Sequence, residues 1–157
     1  MKIAIGSDHA GFPLKKPIME FLEIKGYEVI DFGSYDPNPV DFPDIAKKIG
    51  SAIKGGVAER GIMVCGTGVG AAIASNKIPG IRASVCHDIY SAHQCVEHDD
   101  VNVMCIGAQI VGDKLAYELV EAFLTAKFST EEQFRRRVQK LHEMELEYMY
   151  KHQLLSE

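Results

Sequence analysis

Short apolar, β-branched runs alternate along this chain with longer segments of helical period, a pattern that restricts it to a parallel sheet covered by helices on both faces. Strands are predicted at residues 2–6 (KIAIG), 27–31 (YEVID), 61–65 (GIMVC), 81–85 (IRASV) and 102–106 (NVMCI). Helices are predicted near 12–25, 42–54, 70–77, 88–97 and 112–126. The expected architecture is a three-layer α/β sandwich on a five-stranded parallel, Rossmann-like sheet, one domain spanning 1–157. A single domain of 157 residues buries roughly two-thirds of its unfolded surface, enough for a real core. The connection 32–41 carries Gly33, Pro37 and Pro39 and is long for a linker, so it is expected to overhang a site. A final helix, 130–153, opens with the N-cap chemistry of Ser129-Thr130-Glu131-Glu132 and sets Phe134, Val138, Leu141 and Tyr148 near one face. Packing on its own domain and crossing onto a second subunit are both open to it.

Composition narrows the partners. A formal net charge of −5 disfavours nucleic acid or an anionic membrane, leaving the cluster Arg135-Arg136-Arg137 as a local feature. No apolar stretch approaches the ~18 residues of a membrane span. The first residues run straight into a strand with no leader-like segment, so no signal peptide is read. Cys65, Cys86, Cys95 and Cys105 form no CxxC pair. They are expected to be reduced thiols of a cytoplasmic protein.

Ligands of open parallel sheets bind beyond the carboxyl ends of the strands. Two turns there carry chemistry. The first, Gly6-Ser7-Asp8-His9-Ala10-Gly11, sets a carboxylate beside an imidazole where a helix begins. The second, Cys65-Gly66-Thr67-Gly68-Val69-Gly70, sets a thiol before alternating glycines and then a helix. Alternating glycines let successive N–H groups converge, and a helix N-terminus adds partial positive charge, so this turn can hold a phosphate or an enediolate. The same electrostatics are expected to lower the Cys65 thiol from its reference of roughly 8.5, giving a usable base or nucleophile.

The competing reading of this turn is a dinucleotide loop. Residues 66–71 fit GxGxxG/A, and Asp88 follows the next strand where a ribose hydroxyl could be met. Five strands give no second βαβαβ half, which disfavours it. Cys86, Cys95 and Cys105 are read as structural thiols, and His87 and Asp88 as support for the fold or a helix cap. Glu97-His98-Asp99-Asp100 precedes a strand, so in a parallel sheet His98 lies at the edge opposite Cys65. It is either a solvated loop residue or part of a neighbouring subunit's site. The three consecutive arginines read as a solvated helix face, with phosphate binding the minor alternative.

Taken in order, SDHAG at 7–11, VDFPD at 40–44, CGTGVG at 65–70, NKIPGIRA at 76–83, CHD at 86–88 and EHDDVNV at 97–103 resemble the type B ribose-5-phosphate isomerases. Their wider family includes the galactose-6-phosphate isomerase subunits. The resemblance implies interconversion of an aldose phosphate and its ketose, D-ribose 5-phosphate and D-ribulose 5-phosphate, through a cis-enediolate without metal or organic cofactor. It implies Cys65 as the base moving the proton between C1 and C2, with the amides of Gly66, Gly68, Val69 and Gly70 holding the enediolate oxygen. Thr67 and His98 would assist ring opening. Asp8 and His9 would hold substrate hydroxyls and the ring or phosphate end. It implies a homodimer with shared sites, or a tetramer, with 130–153 at the subunit interface.

Four departures bear on the substrate. Asp99 stands where the family has asparagine, and Phe42 in a tyrosine position. Gln109 and Gln133 replace arginines of the phosphate end, leaving Arg137 as the aligned cation with Arg135 or Arg136 to help. Losing bidentate cations weakens phosphate recognition. Either neighbouring arginines compensate or the substrate is another sugar phosphate: a tetrose phosphate such as erythrulose 4-phosphate, or galactose or allose 6-phosphate. A non-catalytic sugar-phosphate or nucleotide-binding module is the alternative of another class.

Overall fold

The computed structural model describes the backbone of residues 1–154 and the side chains through residue 151. Five strands form one sheet: β1 (Lys2–Ser7), β2 (Glu28–Asp31), β3 (Arg60–Cys65), β4 (Ala83–Val85) and β5 (Val103–Gly107). Its order is β2-β1-β3-β5-β4, and each neighbouring pair is parallel. The helices are α1 (Phe12–Ile24), α2 (Phe42–Lys54), α3 (Val69–Ser75), α4 (Ile89–Asp99), α5 (Asp113–Thr125) and α6 (Glu132–Leu154). This is the expected five-stranded parallel sandwich with an appended C-terminal helix.

Side chains alternate across a strand, so each strand feeds both layers. Ile62 and Val64 of β3 join Ile3, Ile5, Met104 and Ile106 in a core against α1, α4 and α5. Met63 and Cys65 turn the other way, into a core with Ile45 and Ile49 of α2 and Ala71 of α3. Cys65 therefore reaches its site from the α2 and α3 layer. Strand order reverses between β1 and β3, and the two lie side by side with Ser7 opposite Val64. Beyond their carboxyl ends is the topological switch point of the sheet, where open α/β proteins bind ligands.

Two close approaches fix that edge. A Cβ on Gly11, the N-cap of α1, would lie 2.1 Å from the Val64 carbonyl oxygen, so only glycine lets this turn sit on β3. The loop after β2 is pinned to β1 by Ser7 N–H to Gly33 O (2.6 Å) and Ser34 N–H to Ser7 O (2.7 Å). Asp31 and the buried Lys15 of α1 reinforce it, with Lys15 Nζ 2.8 and 2.9 Å from the two carboxylate oxygens. The predicted overhang is thus real, and Val40 N–H reaches His9 Nδ1 at 3.3 Å.

Two boundaries moved. β4 begins at Ala83 rather than residue 81, because Arg82 N–H donates to the Asn102 side chain (2.8 Å). α4 runs on to Asp99, so His98 and Asp99 are helical, and Asp100 ends the helix in the left-handed region at φ 49°. Among the described residues no helix is long and apolar enough to cross a membrane.

Candidate active site

Cys65 is the last residue of β3, and the turn after it is built without slack. Gly68 caps α3 at φ 80°, a conformation glycine adopts without penalty. A Cβ there would lie 3.3 Å from the Cys105 carbonyl carbon and the Ile106 nitrogen. Gly66 is buried beneath the Gln109 side chain, whose Oε1 is 3.1 Å from the place of a Cβ, and Gly70 lies under the Phe42 ring. Thr67 and Val69 are exposed, and Thr67 Oγ1 accepts from Val69 N–H (3.3 Å). The residues after β5 carry this turn: Ala108 N–H donates to Cys65 O (2.8 Å) and Gln109 N–H to Gly66 O (3.0 Å).

Asp8, just beyond β1, is buried and points at the same spot. Its Oδ1 accepts from Gly11 N–H (2.8 Å), and its Oδ2 accepts from the Cys65 thiol (3.2 Å). The expected lowering of the thiol is overturned here. Burial, the hydrogen bond to Asp8 and the Asp8 charge push Cys65 above the usual thiol value, and the opposing contacts with the Gly68 and Gly66 amides are smaller. The thiol rests protonated on a carboxylate. When deprotonated, it is a stronger base than an ordinary thiolate.

His9 is exposed beside this pair, with Nδ1 accepting from Val40 N–H. Asp8, His9, Cys65, Gly66, Thr67, Gly68, Val69, Gly70 and Gln109 therefore gather at one edge of the sheet. His98, Asp99, Gln133 and Arg137 do not join them. Gly61 and Cys65 pair with Val103 and Gly107, so the start of β5, which follows α4, is about 13 Å of strand from the thiol edge. At that far edge the half-buried His98 ring stacks on Phe134 of α6, centroids 3.9 Å apart and planes 16° from parallel. Arg137 covers the same phenyl ring at 5.7 Å.

The other cations of α6 are engaged nearby, Arg136 with Glu132 and Arg135 over the Phe128 ring at 4.7 Å. Gln133 reaches Glu131. Asp99 lines a cleft of about 380 Å³ between the 76–84 segment, α4 and α6, away from Cys65. Glu145 closes one side of it, accepting Gly80 N–H at 3.0 and 2.9 Å.

The dinucleotide reading loses its acidic partner. Asp88 caps α4, accepting Ser91 N–H at 2.7 Å, which holds its carboxyl below the usual range. Cys86, Cys95 and Cys105 are buried, as a structural role requires, with Cys86 and Cys95 sulfurs 3.8 Å apart. Two contacts of the candidate site residues escaped sequence reasoning. The Asp8 contact with Cys65 needs the adjacency of β1 and β3, which no local signal reports. Phe134 was legible only as an apolar position on one face of the final helix, yet it carries His98 and Arg137.

The chain matches the family described as Ribose/Galactose Isomerase over residues 3–141. It is similar to the ribose-5-phosphate isomerase B of Escherichia coli (strain K12), 46% identical over 127 residues that cover 81% of this chain and 85% of that one. It is also similar to the D-erythrulose-4-phosphate isomerase of Pectobacterium atrosepticum, 45% identical over 131 residues, covering 82% and 85%. The solved structure of Clostridium thermocellum ribose-5-phosphate isomerase B superposes with a TM-score of 0.92 at 47% identity, covering 94% of this chain and 99% of that one.

Proposed function

Because this chain belongs to the ribose/galactose isomerase family, we propose that it interconverts D-ribose 5-phosphate and D-ribulose 5-phosphate through a cis-enediolate, with Cys65 as the base. The carrying observation is the placement of the Cys65 sulfur, at the switch point of the sheet, 3.2 Å from the Asp8 carboxylate and against the amides of the glycine turn.

The Cys65 thiolate takes the C2 proton of the open-chain aldose, and the electron pair moves into the C1–C2 bond as the C1 carbonyl becomes an oxyanion. The amides of residues 66–70 meet that oxyanion, and an oxyanion donor of this kind is worth roughly 2.7–4 kcal/mol of barrier. The O2 hydroxyl proton passes to O1, the thiol returns its proton to C1, and the carbonyl forms at C2. Asp8 and His9 hold hydroxyls of the sugar. Thr67 helps to open the ring, a proton transfer that needs a carrier within hydrogen-bond reach.

The second proton carrier, His98, comes from a neighbouring copy. Within one chain it lies at the wrong edge, whereas in a homodimer, or a tetramer of such dimers, His98, Gln133 and Arg137 of the partner subunit complete the site. The apolar positions left exposed on α6, among them Leu141, Met144 and Tyr148, support this reading. Mixing an inactive Cys65→Ala protein with an inactive His98→Ala protein tests it. Hybrid dimers should regain activity, and no recovery after verified subunit exchange counts against shared sites.

A four-carbon sugar phosphate is the second reading. A phosphate dianion is recognised by guanidinium forks, yet at positions 109 and 133 this chain offers amides, and Asp99 adds a negative charge beside His98. Turnover of ribose 5-phosphate, erythrulose 4-phosphate and allose and galactose 6-phosphates, compared by kcat/KM, decides between them. Near-normal turnover by Cys65→Ala on the best substrate would remove Cys65 as the base.

A further inference from the structure

β4 ends at Val85 and the backbone pairing continues by one bond, Cys86 N–H to Cys105 O (3.1 Å). The next amide of β5 has found a side chain instead: Gly107 N–H donates to His87 Nε2 over 2.8 Å. A ring nitrogen that accepts carries no hydrogen, so this imidazole is the neutral tautomer with hydrogen on Nδ1. Gly107 lies opposite Cys65 in the sheet. A Cβ on it would lie 2.8 Å from the Gly66 oxygen and from Thr67 Cα. The two residues after it carry the backbone of Cys65 and Gly66. Nothing in this stack has room to move independently.

We propose that His87 is a positioning residue for the isomerisation: its neutral ring holds Gly107, and through it the turn from Cys65 to Thr67, and its protonation steepens the loss of turnover on the acid side. Only the kinetic part of this inference rests on the isomerase reading. Protonated Nε2 turns a donor toward a donor, the buried amide loses its acceptor, and the turn loses its floor. Burial pushes the ring below the usual histidine value of 6.5, so the bond survives through neutral pH and breaks on the acid side.

The surrounding ionisable groups leave that control to His87. The Asp88 carboxylate is turned into the start of α4, onto Ser91 N–H. From β4 and α4, the Cys86 thiol faces Cys95. From β5, Cys105 is a thiol that burial pushes up, and from β3, Cys65 is bound to Asp8. Burial pushes Cys65 and Cys105 up, so both are uncharged thiols when His87 titrates, whereas the hydrogen bond with Cys95 holds Cys86 below the usual thiol value.

The test is kcat against pH on ribose 5-phosphate for the wild type, His87→Gln and His87→Leu. Below about pH 6.5 wild-type turnover should fall more steeply than the roughly tenfold per unit that loss of the Cys65 thiolate alone gives. His87→Gln presents an oxygen acceptor that does not titrate, so it should keep kcat within about threefold at neutral pH and lose that added steepness. His87→Leu should lower kcat about tenfold with KM within about twofold, the mark of lost positioning rather than lost binding. An unchanged acid limb in His87→Gln, or full kcat in His87→Leu, overturns the proposal. Nitrogen-15 spectra of the wild-type imidazoles test it without turnover. Hydrogen on Nδ1 of His87 and a Gly107 amide that shifts with the ring's titration support it, whereas hydrogen on Nε2 or a silent Gly107 amide overturns it. If no sugar phosphate is turned over at any pH, the isomerase reading fails and the spectra still decide the role of His87.

Discussion

The Cys65 thiol donates to the Asp8 carboxylate across 3.2 Å, tying together the carboxyl ends of two adjacent parallel strands. Asp8 cannot turn away, because its other oxygen is held by Gly11 N–H and the residue is buried. The proposed base is thus stored as a thiol and released as a strong thiolate in small amount. That trade favours abstraction of a weakly acidic C–H proton, where base strength matters as much as population.

A pH dependence follows from the raised thiol. At each pH below its folded value the thiolate fraction grows about tenfold per unit, so kcat/KM should climb through the alkaline range, past the ordinary thiol value of 9.0. Asp8→Asn removes the charge that opposes ionisation, so the thiolate should form at lower pH and the alkaline limb should move with it. Ultraviolet thiolate titration, with Cys65→Ser subtracted, reads the first quantity, and the kcat/KM profile reads the second. A limb unmoved in Asp8→Asn would separate the thiol from the carboxylate.

Gly68→Ala tests the turn itself. The left-handed backbone at φ 80° costs a residue with a Cβ about 1–2 kcal/mol. The new methyl would press at 3.3 Å on the backbone of β5, which lies in the sheet and cannot give. The melting temperature should fall by about 2–8 °C for a domain of this size. The loss of kcat should be larger than stability alone explains, at least about tenfold, because in the proposed mechanism the Gly66 and Gly68 amides would leave their alignment on the enediolate oxygen. Calorimetry and steady-state kinetics on the same preparation separate the two effects.

The sheet was legible in the sequence because the period of apolar residues is a local property. All five strands begin and end within two residues of their expected positions, and the largest error, at β4, arises where the Asn102 side chain takes the Arg82 amide. α4 was read short because its left-handed cap is Asp100, and an aspartate does not announce that conformation as a glycine does. The candidate site divides the same way. The glycine turn carries its own signal. The direction of the Cys65 shift was misread because a helix N-terminus was weighed without the carboxylate that β1 delivers to it, 57 residues away in sequence.

Lys15 supplies a stability test remote from the proposed chemistry. Its side chain is 4% exposed, with the ammonium on both oxygens of Asp31 and on the Ser34 carbonyl. Lys15→Met should cost roughly 3 kcal/mol, since it leaves a half-buried carboxylate and a carbonyl without their donor. Lys15→Met combined with Asp31→Asn should recover part of that loss, because the amide oxygen still accepts from Gly33 N–H as Asp31 does now at 2.9 Å. Urea unfolding of the single and double variants measures the difference. A single-variant loss below about 1 kcal/mol would mean that solvent screens the pair as it does a surface ion pair.

α6 packs on α4 and is held at Gly80 by Glu145, but Met144 and Tyr148 on it are 54% and 60% exposed in the single chain. Two apolar residues four apart on a helix form one face, and in the proposed homodimer that face meets the other subunit. Met144→Glu combined with Tyr148→Glu would bury two charges in such an interface, at a cost of several kcal/mol per ion, while leaving the fold of each subunit untouched. Sedimentation velocity should show a monomer, and circular dichroism should be unchanged. Activity should fall at least about a hundredfold, because His98 and Arg137 would no longer reach a neighbouring Cys65. A monomer with full activity would overturn the shared site, and a dimer that survives both charges would place the interface away from this face of α6.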